Sequence, residues 1–293
     1  STGYGGAVDS VSGATCYVWS STFLNNKAKY GGALDNFQSL SYISGCTIEG
    51  NEAELGGAIL NYSGTLTIGV SSINSNLAES GGAIYNSSAT SVVTNTEFLS
   101  NHAVNFGGAI NNYASSTSWV TNCTFTGNSA LTGVGAALFD QDSTATVSNC
   151  IIWNNKDSNG VGSSTSSMAV GNNSTVGYSY SLIQGLNPGA GGVLDGTNSA
   201  NHPHFLVDFS PGVDGIWAAY DVANEQWSGM QDNTPADVRI QSGSPAINVG
   251  NPDAATNAYG ETISDFAKDL AGNSRIGYEP GFDATFERII DFG

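Results

Sequence analysis

Charge is scarce in this sequence. Of 293 residues only 11% are Asp, Glu, Lys or Arg, and seven are basic (Lys27, Lys29, Lys156, Arg239, Lys268, Arg275 and Arg288), leaving a formal net charge of −18. A phosphate backbone or an anionic lipid surface would be repelled, which argues against nucleic acid and peripheral membrane partners. Nor is there an apolar run near the roughly 20 residues that cross a bilayer, so no transmembrane segment is expected. Four cysteines, Cys16, Cys46, Cys123 and Cys150, have neither the CxxC spacing of a zinc site nor the density of a disulfide scaffold. With no initiating Met and no signal-peptide core, the chain reads as a mature piece of a longer protein. What stands in place of charge is glycine, 38 residues of it, with abundant Ser, Thr and Asn. A polar surface built from small neutral side chains suits an extracellular repeat protein, and 293 residues suffice for one elongated domain or two compact ones.

Two phrases alternate along the first half. One is a glycine pair followed by Ala and an aliphatic residue, as in YGGALDNF, LGGAILNY, SGGAIYNS and FGGAINNY. Its second glycine falls at Gly6, Gly32, Gly57, Gly82 and Gly108, and a degenerate copy follows at Gly135 or Ala136. The other closes on Asn: FLNN (23–26), IEGN (48–51), INSN (73–76), FLSN (98–101), FTGN (125–128) and IIWNN (151–155). Self-similarity at about 25 residues means stacked units. Apolar residues two apart, in a background of Ser, Thr, Val, Ile, Gly and Asn, exclude helical solenoids. The expected fold is all-β: a right-handed parallel β-helix with three short strands per turn, each pairing with its copy about 4.8 Å away.

The columns of such a helix can be listed from the phrases. Phe23, Ile48, Ile73, Phe98, Phe125 and Ile152 form one inward file, Val18, Ile43, Ile68, Val93, Val120 and Val147 a second, and Ser21, Cys46, Ser71, Thr96, Cys123 and Cys150 a third. After the glycines, Leu34, Ile59, Ile84, Ile110 and Leu138 point inward, and two residues later come Asn36, Asn61, Asn86, Asn112 and Asp140. Stacked amides hydrogen-bond along the axis and satisfy backbone groups at a bend. Gly32, Gly57, Gly82 and Gly108 then mark a corner that needs φ > 0 or a close approach between turns.

The alternation of GGA[ILV] with FxxN over residues 3–155 resembles the passenger repeats of chlamydial polymorphic outer-membrane proteins and related bacterial surface proteins. The tail phrases YSLIQG (180–185), GVLDG, HPHF, SPGVDGIW (210–217), VRIQSGSPAINVGN (238–251), DLAGNSRI (269–276) and IIDFG (289–293) resemble the C-terminal part of bacterial secreted proteins of the choice-of-anchor Q type. The resemblance implies a β-helix closed by this segment and a place at the cell surface. Two departures stand out: His202 and His204 occupy the region where relatives carry DP, and the chain stops at Gly293 where they continue, which suggests that an anchor or further domain follows. The expected division is a β-helix of seven or eight turns over 1–205 and a capping segment over 206–293 covering the open end, because bare rungs are adhesive edges. The first rung, already in phase, is either continued upstream or covered by another chain, so homo-assembly through it is one expectation.

Candidate chemistry is thin. A lyase of the pectate type needs a basic residue beside a uronate, yet no Arg precedes Arg239. Lys27 and Lys29 align one turn from Glu52 and Glu54, as exposed ion pairs would. A hydrolase needs two carboxylates about 5–9.5 Å apart. Asp9 and Asp35 share an outward column, but it continues as Leu60, Tyr85, Asn111 and Phe139, and the favoured reading of both is a solvated surface. Phe37, Tyr62 and Tyr113 follow the amide ladder and face outward, with Tyr85 and Asn111 on the neighbouring column. Together with Asp35 they form the candidate contact set for extracellular glycans, although stacked rings also simply brace adjacent strands. Cys123 and Cys150 lie within bonding reach on adjacent turns, and buried free thiols are the favoured state. Acidic residues crowd the region after 160, where calcium could be held, but without DxDxDG spacing their ordinary role is loop capping. His102, on the outward column of Lys27 and Glu52, and His202 and His204 lack the company of zinc ligands. No cofactor is expected. The expected function is a non-catalytic, secreted or cell-surface module for adhesion, matrix building or glycan contact, with extracellular glycans or other surface proteins as partners. The alternatives are a polysaccharide lyase or glycoside hydrolase, and a self-assembling filament or surface-layer subunit.

Overall fold

The computed structural model describes residues 3–187 and 193–246, apart from 222, 225, 235, 242, 243 and 245, together with the backbone of 276–277 and 289–290. The chain winds into a parallel β-solenoid of about six turns, each of about 26 residues. Six turns replace the expected seven or eight, because the parallel sheets end at Leu182–Ile183, well before residue 205, and amide-bearing strands lie 28 residues apart between Ile110 and Leu138 and 30 between Leu138 and Met168. The later turns use more chain for the same rise.

From the second turn to the sixth, each turn carries strands of four sheets, not three. The amide sheet stacks Val8–Val11, Leu34–Phe37, Ile59–Tyr62, Ile84–Ser87, Ile110–Tyr113, Leu138–Gln141 and Met168–Val170. The threonine sheet stacks Thr15–Trp19, Leu40–Ser44, Thr65–Gly69, Thr90–Thr94, Thr117–Thr121, Thr144–Ser148 and Thr175–Ser179. The phenylalanine sheet runs from Thr22–Leu24 through Glu97–Leu99 and Thr124–Thr126 to Leu182–Ile183. A short sheet of Glu52–Leu55, Leu77–Ser80, His102–Ala103, Ser129–Ala130 and Lys156–Asp157 completes the turn and ends on the antiparallel strand Gly160–Val161. The extra corner arises because one residue after each FxxN strand is left-handed: Asn25, Gly50, Ser75, Ser100, Gly127 and Asn154 have φ between 53° and 72°. A single left-handed residue turns an extended chain without a loop. The third turn shows the whole scheme, with corners at Ser63, Val70, Ser75 and Gly81.

At the glycine corner the two residues do different work. Gly56 holds φ +67°, while a Cβ on Gly57 would lie 2.2 Å from the carbonyl oxygen of Gly82 one turn on. The first glycine supplies backbone freedom and the second supplies clearance.

The inward files are as expected. Phe23, Ile48, Ile73, Phe98, Phe125 and Ile152 are register partners in unbroken succession, and the Phe98 and Phe125 rings stack at 4.6 Å with 2° between planes. They join the valine and isoleucine file and the residues after the glycines in one core running the length of the rod. Like-on-like stacking lets each rung bury the same shape at close-packed density. The amide ladder is continuous: Asn36 donates to Asn61 (2.8 Å), Asn61 to Asn86 (2.9 Å), Asn86 to Asn112 (2.8 Å) and Asn112 to Asp140 (2.9 Å).

After Ile183 the chain adds a partial rung, with Leu194 bridged to Leu182, and then turns along the side. Phe205, Val238, Ile240 and Ala246 pack on the outward-facing Ile151, Trp153 and Leu182. Phe205–Val207 pairs with Asp237–Ile240, and Ala219–Asp221 with Gln226–Ser228. Phe209, Val238, Ile240 and Ala246 therefore lie against the flank of the rod. Most of DLAGNSRI and of IIDFG lies outside the described residues, as does much of VRIQSGSPAINVGN.

Candidate functional site

The amide-sheet strands alternate as their sequence requires, so Asp35 and Phe37 leave the core while Leu34 and Asn36 enter it. Facing away from the core does not mean facing water. Asp35 is 0% exposed, and neither of its carboxylate oxygens has a hydrogen-bond partner. The expectation of a solvated carboxylate is thus corrected. Leu60, Asn111 and Phe139 in the same column are buried as well. The cause is the glycine corner: a Cβ on Gly107 would sit 2.6 Å from the Cβ of Asn111, and one on Gly135 2.6 Å from that of Phe139. The left-handed glycine folds the preceding backbone onto the roots of this column.

Burial, with a smaller contribution from Asp9 one turn below, pushes the Asp35 carboxyl up to about 7. A proton affinity of that kind would suit a general acid, but a substrate has no way to reach a sealed carboxyl. Asp140 and His102 are sealed in the same way. Asp140, which ends the amide ladder, is pushed up to about 7 by burial against the opposing hydrogen bond from Asn112. His102 keeps its place in the register beside Leu77, but it is buried rather than outward in solvent. Its Nδ1 pairs with the Ser129 hydroxyl at 2.7 Å, and burial lowers its proton affinity to about 3. Glu97 is raised by burial first, against a 2.6 Å hydrogen bond from Ser72, with Asp237 of the flanking segment adding to the rise.

The remaining candidates divide. Asn111 is 3% exposed and, like Asp35, offers no contact surface. Tyr62 and Tyr113 are well exposed, and Phe37 and Tyr85 half-buried. Phe37 and Tyr62 stack at 5.3 Å with 7° between planes, whereas Tyr85 and Tyr113 lie 6.4 Å apart at 40°. Ser87 interrupts the outer ring column between Tyr62 and Tyr113. The ion pairs expected on the short sheet form, Lys27 to Glu52 at 2.6 Å and Lys29 to Glu54 at 3.8 Å. Lys156 stands over the Trp217 ring at 5.9 Å. All four cysteines are free thiols.

Two features escaped the sequence reading. A second amide ladder, Asn51, Asn76, Asn101, Asn128 and Asn155, runs fully buried where the phenylalanine sheet meets the short sheet. In it each side-chain oxygen accepts both the backbone N–H and the amide of the Asn one turn below, as Asn101 does from Asn76 at 3.1 and 2.9 Å. The repeated closing Asn of the second phrase was its signal. The other is an exposed ring cluster on the threonine sheet, Tyr17 (59% exposed), Trp19 (64%) and Tyr42 (36%), with the two tyrosines stacked at 5.1 Å. The alternation in TCYVW and LSYIS carried it.

In the described C-terminal loops the carboxylates act as turn caps. Asp232 accepts from the Val213 N–H (2.8 Å), Asp214 from that of Ile216 (2.7 Å) and Asp221 from that of Ala223 (2.9 Å). Among the described residues no three His, Cys, Asp or Glu side chains converge as a metal site, and no helix is long and apolar enough to cross a membrane. Compared with protein families, curated proteins and solved structures, the chain matches none.

Proposed function

We propose that this chain is a non-catalytic, extracellular contact module, a rigid rod whose outer faces bind glycans in adhesion or matrix building. One observation carries the reading: the described carboxyls and the histidine whose proton affinities are most strongly shifted, Asp35, Asp140 and His102, are all buried. The exposed residues of the threonine sheet, by contrast, are uncharged and include hydroxyls and aromatic rings. Acid–base catalysis needs perturbed groups within hydrogen-bonding reach of a substrate, whereas recognition of a sugar needs only an exposed ring and fixed polar partners. The alternation of GGA[ILV] and FxxN, and the tail phrases, support kinship with bacterial surface β-helix proteins and hence a place outside the cell.

Incubation with a panel of neutral and acidic polysaccharides tests this directly, with new reducing or unsaturated ends and retention of the protein followed in parallel. Retention without cleavage is the expected result. Cleavage of any member of the panel would overturn the reading and return the chain to the lyases or hydrolases.

A further inference from the structure

The threonine sheet differs from the rest of the surface. Its strands, from Thr15–Trp19 to Thr175–Ser179, hold an uninterrupted five-residue register, and none of their residues is charged, in a chain with a net charge of −18. The short sheet carries the Lys27–Glu52 and Lys29–Glu54 pairs, and the phenylalanine sheet carries Glu49 and Glu97 and is covered in part by the flanking segment. The second and fourth residues of the threonine-sheet strands, such as Leu66, Val18, Ile43 and Val120, lie in the core, so the first, third and fifth face out.

The first outward column is a register-aligned row of Thr65, Thr90, Thr117, Thr144 and Thr175. The column beside it carries Tyr17, Tyr42 and Trp119, and Trp19 begins the third. Val92 and Thr94 are buried, but Thr144, Thr146 and Thr175 are exposed at one end and Tyr17 and Trp19 at the other. Along the first column, from Thr65 to Thr175, hydroxyls therefore repeat about every 4.8 Å along the rod.

We propose that this face is a docking surface for an ordered, uncharged polysaccharide. The inference rests on the glycan-contact reading and adds to it the face and the class of glycan. An uncharged patch on an otherwise acidic chain is where a neutral partner can approach without desolvating a charge. An acidic glycan is disfavoured by the net charge of the rod. The single row of threonine hydroxyls and methyls at one spacing matches a partner that is itself periodic. The Tyr17, Trp19 and Tyr42 rings supply the apolar contact that sugar faces accept.

The test is retention of the purified chain on microcrystalline cellulose and on chitin, with soluble polygalacturonate as the acidic comparison. Two sets of exposed substitutions would be used, each checked for unchanged circular dichroism. The first pairs Y17A with W19A and, separately, places Thr144→Lys and Thr146→Lys on the threonine face. The second pairs Y62A with Y113A on the amide-sheet face. We expect retention on a neutral insoluble glycan, weakened about tenfold or more by either threonine-face pair, the scale of losing ring and surface contacts, and unchanged by Y62A/Y113A. Retention lost only with Y62A/Y113A, or seen only on polygalacturonate, would overturn this inference while leaving the glycan reading intact. No retention on any glycan would remove both. A dimer in light scattering that the Thr144→Lys/Thr146→Lys pair dissociates would assign the face to self-association and overturn the proposal.

Discussion

Asp140 gives the account its sharpest energetic consequence. It takes the place of Asn at the top of the amide ladder, accepts one hydrogen bond from Asn112 and leaves its second oxygen buried without a partner. Burial holds its carboxyl up to about 7, against an ordinary value of 3.8. Because the folded value is the higher one, the unfolded chain releases this proton near pH 4 while the folded chain keeps it until near pH 7. The stability contributed is therefore full below pH 4, falls as pH rises through that window, and is level above it. At about 1.4 kcal/mol per pH unit the loss for this one carboxyl approaches about 4 kcal/mol as an upper bound. Asp35 titrates in the same sense, whereas His102, lowered to about 3, gains stability as pH rises towards its ordinary value of 6.5. The whole-protein profile mixes these signs, so the informative quantity is the difference between the protein and Asp140→Asn. The amide keeps the acceptor for Asn112 and has no proton to lose. Urea unfolding at pH 4.5, 6 and 8 should give near-equal stabilities at the lowest pH and an advantage for the variant of up to about 4 kcal/mol at the highest. A difference that stays constant with pH, or shrinks as pH rises, would refute the burial argument.

Three further outcomes follow from the corners and ladders. Gly57→Ala should destabilise by several kcal/mol in urea unfolding, because its Cβ would meet the Gly82 carbonyl oxygen at 2.2 Å and the Leu77 backbone at 2.6 Å. A cost under about 1 kcal/mol, the ordinary price of a single poor backbone choice, would contradict the close approach. Val70 holds φ +49° at an exposed corner, where a β-branched residue is strained; Val70→Asn, matching Asn95 and Asn122 above it, should raise stability by about 1 kcal/mol and Tm with it. Asn101→Ala removes the acceptor for the Asn76 backbone N–H and side-chain amide and the donor to the Ile73 carbonyl. It should cost about 3 kcal/mol or more, since buried partners are left unpaired, and an unchanged denaturation midpoint would show the ladder to be dispensable.

The inward files were legible because stacking repeats one shape at one spacing: Ile73 lies under Phe98 for the same reason that INSN aligns with FLSN. The first amide ladder was legible because Asn36 to Asn112 sit two residues beyond an obvious core position. The second ladder and the fourth sheet were harder. A one-residue left-handed corner such as Ser75 or Ser100 carries no glycine or proline to announce it. The fate of Asp35, Asn111 and His102 was not legible at all. Alternation tells which side of a strand a residue leaves, but whether water waits there depends on how the neighbouring corner folds back, a relation between residues that no single repeat displays. The ring cluster on the threonine sheet sat in plain view in TCYVW, hidden only because Tyr17 and Trp19 recur weakly in later turns.

The most direct test of the stacked rod with its sealed interior is a set of nuclear Overhauser contacts among labelled Ile48, Ile73, Phe98 and Phe125. Cross-peaks between the Ile73 methyls and the Phe98 ring, and between the Phe98 and Phe125 rings at their 4.6 Å separation, are the predicted result. Contacts displaced by one or two residues, or rings of Phe98 and Phe125 that see solvent instead of each other, would contradict it.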